Sequence, residues 1–297
     1  MRKYSILTAS LIISLVACSK SDRVIPSLPI SNNALSDITA LPTILKESSG
    51  IELASNETYW SHNDAGNKAS IYNFDKQGQL ISTLKIKDTD NEDWEDMTQD
   101  EAGNLYVGDF GNNDNERKNL AIIKLSKQDL SKNNSTITGQ RISFNLEDQN
   151  AFPPDKTVRN FDIEAMFSKD NFLYLFTKDR TKPFKGSTKL YRLPNTAGNH
   201  TASLLAELKT DTSEKIGRIT AADISPDGAT VVLLANEAIW VLTKFSSDKF
   251  FDGTVQRIDL PVNVQMEAIV FQDNCMLYLT NEKESKQDAR LFELKIC

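Results

Sequence analysis

Three glutamates recur in one short context. Glu95-Asp96-Met97, Glu164-Ala165-Met166 and Glu267-Ala268-Ile269 each put a carboxylate two places ahead of a hydrophobic residue. Ser49-Gly50-Ile51 and Ala222-Asp223-Ile224 repeat the arrangement with a hydroxyl and a methyl in the acidic place. Brought round one point, three carboxylates repel each other. A bound cation, a proton or backbone N–H donors relieve that repulsion. Carboxylates, one hydroxyl and water form a hard oxygen set, which suits calcium and its flexible shell of about six to eight oxygens. Ser49, Glu95, Glu164 and Glu267 are the candidate ligands; the competing reading is a water-filled channel in which the glutamates hold nothing specific. Zinc fits poorly, because His62 and His200 are the only histidines and no Cys-x-x-Cys occurs.

A second set of polar residues closes apolar segments: Asp64, Asp109, Lys178, Asp179, Arg180, Glu237 and Glu282, with Arg117 following Gly111-Asn112-Asn113. Carboxylates beside Lys and Arg can hold a phosphate through a bridging metal and cationic donors; a solvated polar rim would look the same. The acidic run from Asp88 to Asp96 begins like an EF-hand loop, but Asp93 stands where the loop needs Gly and Gln99 where it needs Glu. No Gly-x-Ser-x-Gly, His-Glu-x-x-His or Walker pattern occurs, so serine hydrolase, zincin and P-loop chemistry lack support.

The elements that must position these residues are short β-rich runs between Gly, Asn and Asp turns, with no long helical period. One unit recurs: a short anchor strand, a polar turn, a strongly apolar strand with a polar end, a loop, and a third strand. The anchors at 49, 95, 164, 222 and 267 mark five copies. A fourth strand follows most of them, at Leu80 to Ile86, Gln140 to Leu146, Ser203 to Leu208 and Thr254 to Leu260. The fifth copy lacks one, and the segment Ile38 to Leu45 ahead of the first copy can supply it, closing a ring and removing its open edges. Helix-free four-stranded repeats predict an all-β chain, a single β-propeller of five blades over 37–297. The wide interval from Glu95 to Glu164 leaves six blades as the alternative, although Gln149 to Lys156, with Pro153-Pro154, reads as a loop.

The stretches Ser49 to Leu53, Ser61-His62-Asn63-Asp64, Trp94-Glu95 and Leu105-Tyr106-Val107-Gly108 resemble the calcium-activated apyrases, five-bladed propellers with one central calcium held by Ser and Glu side chains from successive blades. The resemblance implies calcium on Ser49, Glu95, Glu164 and Glu267, and departs at Ala222, where the family pattern has serine. Phytase-like and gluconolactonase-like propellers are similar in general appearance. Two functions follow as expectations. One is a ligand- or partner-binding module with a central cation, using Asp64, Asp109, Arg117, Lys178, Arg180 and Glu282 at the channel mouth. The other is a calcium-dependent phosphohydrolase acting on nucleotides or other phosphate esters. The missing fourth-blade ligand and the scarcity of histidine favour binding.

The N-terminus reads separately. Met1-Arg2-Lys3 is cationic, and Tyr4 to Ala17 is uncharged and apolar or small, too short to span a bilayer but suited to a secretory signal. Leu15-Val16-Ala17-Cys18 resembles the bacterial lipobox, which implies a signal peptide over 1–17, a lipid-modified Cys18 and a membrane partner. Acyl carbons contribute about 0.8 kcal/mol each when buried, so several chains hold a protein durably. Ser19 in place of Asp implies the outer membrane, with the protein facing the periplasm or the cell surface. Residues 18–36 read as a tether. Loss of Arg2 and Lys3 moves the net charge from -7 to -9, and an acidic chain without a basic run does not suit nucleic acid. In an exported protein the remaining cysteines, Cys275 and Cys297, invite a disulfide; a symmetric hairpin turning near Lys286 would place them opposite each other. Replacing Cys18 with Ser should move the protein from the membrane to the soluble fraction when cells are fractionated, and a variant that stays membrane-bound would refute lipidation.

Overall fold

A computed structural model of the chain describes residues 25–28, 35–55, 57–132 and 134–297; Cys18 and the signal segment lie outside them. Where the sequence alternates apolar residues between turn residues, the chain forms antiparallel strands joined in order. The first blade is Ser48–Ser55, Thr58–Asn63, Ser70–Asp75 and Leu80–Lys87, and the second is Trp94–Gln99, Leu105–Asp109, Ala121–Leu125 and Gln140–Leu146. The third is Asp162–Lys169, Phe172–Lys178, Ser187–Pro194 and Gly198–Lys209, and the fourth is Ile219–Ile224, Thr230–Ala235, Ala238–Thr243 and Thr254–Asp259. The last blade takes Met266–Phe271, Met276–Asn281 and Arg290–Lys295 from the C-terminus and Leu35–Ala40 from the N-terminal side. Each innermost strand borders those of the two neighbouring blades, so the five close a ring. Buried side chains divide accordingly into five apolar layers, one between each pair of adjacent blades.

The ring-closing strand lies three residues earlier than the sequence suggested and ends at Ala40. Pro42 explains the stop: it has no N–H for a ladder, and its carbonyl instead accepts the Leu45 N–H in a turn (2.8 Å). Part of the expected tether is also docked, since Ser27–Leu28 pairs in parallel with Arg257 and Ile258 on the rim of the fourth blade. The interval from Glu95 to Glu164 holds no sixth blade among the described residues. It contains a short helix, Lys127–Leu130, and the strand Thr136–Thr138, which crosses to the rim of the first blade beside Lys85–Lys87.

One feature had no sequence signal. The outer strands of the second and third blades pair in parallel, from Ile142 with Gly198 to Leu146 with Ala202, which makes the two blades one eight-stranded sheet. Exposed outer strands carry unpaired N–H and C=O groups, and such pairing covers them.

Cys275 and Cys297 form a disulfide, with Cα atoms 5.3 Å apart. The register differs from a hairpin symmetric about Lys286. Met276 pairs with Lys295, and the Cys275 carbonyl accepts the Ile296 N–H at 2.9 Å, so Cys297 reaches Cys275 diagonally from one residue further on. The loop is centred half a residue earlier because a bridge between Glu284 and Gln287 closes it. The bond links residues 22 apart and should stabilise by about 3 kcal/mol in the chain-entropy estimate. Denaturant unfolding of the Cys297→Ser protein should show a loss of that order, and a reductant should lower the stability of the parent while leaving the variant unchanged.

Candidate functional site at the channel mouth

Antiparallel pairing puts the start of each innermost strand beside the end of the next. Ser48 faces Asn63, Trp94 faces Asp109, Asp162 faces Lys178, Ile219 faces Ala235 and Met266 faces Asn281. The anchors and the strand-end residues therefore occupy one end of the channel and form a single site. A bulge follows each of these pairs. It leaves unpaired Ser49 in the first blade, Glu95 and Asp96 in the second, Glu164 in the third, Thr220 in the fourth and Glu267 in the fifth. A bulge bends the strand and re-aims the side chain of the extra residue.

The counterpart of the glutamates in the fourth blade is thus Thr220, not Ala222. Ala222 is paired with Leu233 two positions further along. A slip of two keeps every side chain on its own face, so alternation could not reveal it. The Thr220 hydroxyl donates to the Met266 carbonyl at 2.9 Å, committed to the neighbouring blade.

The buried anchors differ in their partners. Both Glu164 oxygens are taken: Lys178 Nζ lies 2.9 Å from Oε2 and Arg180 Nη2 lies 2.7 Å from Oε1. Burial alone would raise this carboxyl, but Lys178 and Arg180 outweigh it and hold it below the usual range. Arg180 also reaches Asp162 through Nε at 2.5 Å. Burial would lower the Lys178 ammonium, yet the carboxylates of Glu164, Glu267 and Glu95 raise it. Lys178 thus sits among three anchors as a built-in cation and is not a free rim residue. Glu267 is pushed up to about 7 by burial and by Glu164, against the opposing pull of Lys178.

Across the mouth, Asp64, Asp93 and Glu95 place carboxylate oxygens within 4.8 Å of one another. Glu95 meets Ser49 Oγ at a long 3.5 Å. Burial raises Glu95 well above the carboxylate range, with Glu164 and Asp64 adding to it. Asp93 rises to about 6 through burial and the nearby Asp64 and Glu164. Asp93 escaped the sequence reading, although the acidic run that failed as an EF-hand was its signal.

The remaining rim residues divide. Arg117 joins Asp109 (Nη2 to Oδ1, 2.9 Å) and donates to the Gly111 carbonyl at 2.7 Å. Glu282 accepts from Gln265 at 2.9 Å and is pushed to about 8 by burial and Glu267. Asp179 is turned inward and accepts the Thr181 N–H at 2.8 Å, and Glu237 pairs with Lys215; neither was found to join the mouth. His62 is fully buried, edge-on to Trp94, and burial lowers it to about 4. His200 lies on the outer strand of the third blade and donates through Nε2 to the Thr196 carbonyl at 2.8 Å.

Deeper in the channel the acids serve the ring. Asp96 accepts N–H bonds from Met97 (2.8 Å), Met166 (2.9 Å) and Ala222 (3.2 Å), joining three blades. Further along the innermost strands, Glu52 accepts from Leu53 and Asp223 from Phe271, both at 2.7 Å. Burial and the charge of Asp223 push Glu52 to about 8, and burial pushes Asp223 to about 7.

No protein-family model matches the sequence, and no curated protein matches it. Solved structures do resemble the fold. The PQQ-bound form of aldose sugar dehydrogenase from Streptomyces coelicolor matches with a TM-score of 0.51 at 9% identity, over 88% of this chain and 97% of that one. A gluconolactonase from Xanthomonas campestris matches with a TM-score of 0.46 at 12% identity, over 84% and 72%. The chain is an all-β protein of the β-propeller class.

Native carboxyls raised above their unfolded values bind protons that the unfolded chain has released, so stability falls as pH rises through that interval. For Glu52 and Asp223 the interval runs from about 4 to about 8. The melting temperature without added metal should fall between pH 5 and pH 8, and Glu52→Gln should flatten that fall. An equally steep profile in the variant would dismiss Glu52 as its source.

Proposed function

We propose that this chain is a lipid-anchored propeller of the outer membrane, facing the periplasm, that binds a ligand or partner protein at its channel mouth together with a hard divalent cation, calcium by the nature of its donors. The observation that carries the reading is the charge balance at the mouth. Asp64, Asp93, Glu95, Asp109, Asp162, Glu164, Glu267 and Glu282 share that end with Lys178, Arg180 and Arg117, eight carboxyls against three basic groups. Partly buried carboxylates in such excess favour a bound cation over an anionic ligand. The anchor rests on the lipobox at Cys18.

Binding is favoured over hydrolysis of phosphate esters by the same contacts. Phosphoryl chemistry needs cationic donors free to meet phosphate oxygens. Lys178, Arg180 and Arg117 are each engaged by carboxylates of this chain. His62 is buried away from solvent and cannot serve as a general base at the mouth.

Two measurements test the proposal. After removal of metal, calcium should raise the melting temperature with the logarithm of its excess over the dissociation constant, and a chelator should reverse the rise. Incubation with nucleoside diphosphates should release no phosphate, with or without calcium. Melting indifferent to calcium would overturn the cation site, and calcium-dependent phosphate release would replace the binding module with the phosphohydrolase.

A further inference from the structure

We infer that the divalent cation sits off the propeller axis, between the first and second blades, on Asp64, Asp93 and Glu95, while Lys178 fills the axial position with a fixed ammonium. This rests on the proposed cation-binding mouth and specifies its ligands. Calcium–oxygen distances are about 2.3–2.6 Å, so two ligand atoms on one ion lie no more than about 5 Å apart. One carboxylate oxygen from each of these residues meets that limit, the three lying within 4.8 Å of one another.

Glu95 supplies an independent sign. It is 5% exposed, and among the described residues its Oε1 accepts no hydrogen bond, while Oε2 has only the long contact to Ser49 at 3.5 Å. With the rest of the side chain buried and no protein donor on Oε1, this carboxyl faces the mouth, where a cation or a proton must meet its charge. Glu164, equally buried, shows the contrast: each of its oxygens already has a cationic partner.

Gly111 forms the wall of the seat. Its N–H donates to the Asp93 carbonyl at 3.1 Å. A Cβ there would stand 2.3 Å from Glu95 Oε1 and 2.5 Å from Asp93 Oδ2, so any larger residue would push these carboxyls out of their present positions. Asn91 fixes the opposite side, donating through Nδ2 to the carbonyls of Asn63 (2.9 Å) and Asp64 (2.8 Å). Three carboxylates with water completing the shell match calcium better than magnesium, which demands near-octahedral geometry.

Isothermal titration of the full-length chain in detergent, with calcium chloride after chelation, separates the seats. The parent should bind one calcium, and magnesium more weakly. Asp93→Asn should weaken calcium binding at least tenfold more than Glu267→Gln, which removes only a neighbouring charge. Each variant is compared with the parent by melting in chelator, and Asp64→Asn replaces Asp93→Asn if the latter does not fold. If Glu267→Gln costs as much as the Asp93 or Asp64 variant, or more, the off-axis seat is wrong and the axial one holds the ion. If the parent binds no calcium, the cation-binding mouth itself fails.

Discussion

The innermost strand of each blade has no sheet neighbour on its channel side, so its N–H groups there need acceptors from elsewhere. Side chains of adjoining innermost strands supply them. Asp96 of the second blade receives N–H groups from its own strand, the third blade and the fourth; Thr98 receives the Ser168 N–H at 3.2 Å; Asp223 of the fourth blade receives Phe271 of the fifth. Between the fifth and first blades, the Ser48 and Thr280 hydroxyls meet at 2.9 Å. A buried hydrogen bond contributes roughly 0.5–1.5 kcal/mol, and here each also fixes the angle between blades. The apolar layers supply bulk adhesion; these polar stitches select one arrangement of the ring.

The same geometry explains why acids at one end of the channel remain available. Below the bulges, carboxylates meet backbone donors. At the bulges the innermost strand leaves the ladder, and Glu95, Glu164 and Glu267 project where, among the described residues, no backbone N–H reaches them. Their charge must then be met by side chains, solvent or a ligand. The third blade answers with Lys178 and Arg180; the first and second, with Asp64 and Asp93, add negative charge instead. Two of the mouth's basic side chains thus gather at the third blade; beside the first two, Arg117 pairs with Asp109, and among the described residues Asp64, Asp93 and Glu95 make no salt bridge.

Much of the fold was legible because strand period and turn residues repeat. The five anchors lay close enough to the true pattern to give the blade order, and the missing last strand pointed to closure by the N-terminal segment. What escaped has a common cause: side-chain alternation has period two. It could not tell Thr220 from Ala222, because both lie on one face, nor reveal bulges that shift a ladder by one residue. The disulfide partners were readable from cysteine number and hairpin spacing, but the half-residue displacement of the loop was not. At the site, Ser49, Glu95, Glu164 and Glu267 did converge, whereas the engagement of Lys178 and the entry of Asp93 depend on how strand ends from different blades meet. The parallel pairing of the second and third blades involves segments more than fifty residues apart, and nothing local encodes it.

The rim strands also make the ring mechanically uneven. The second and third blades are continuous through Ile142–Leu146 and Gly198–Ala202, and the strand Thr136–Thr138 carries chain from the second blade onto the first. The N-terminal side straddles the fourth and fifth blades through Ser27–Leu28 and Leu35–Ala40, and then leads into the first. Between the third and fourth blades, among the described residues, no such strand crosses the rim. That seam is held by the connection from Lys209 to Ile219, by Arg192 with Asp248 at 2.6 Å and Arg257 with Asp211 at 2.7 Å, and by a knot of rings from Phe167, Tyr174, Phe176, Phe250 and Phe251. Tension applied around the rim passes along backbone ladders until it reaches this sector, where aromatic contact, two ion pairs and the single connecting segment carry it. The propeller is a clasped band, and the fastening lies between its third and fourth blades.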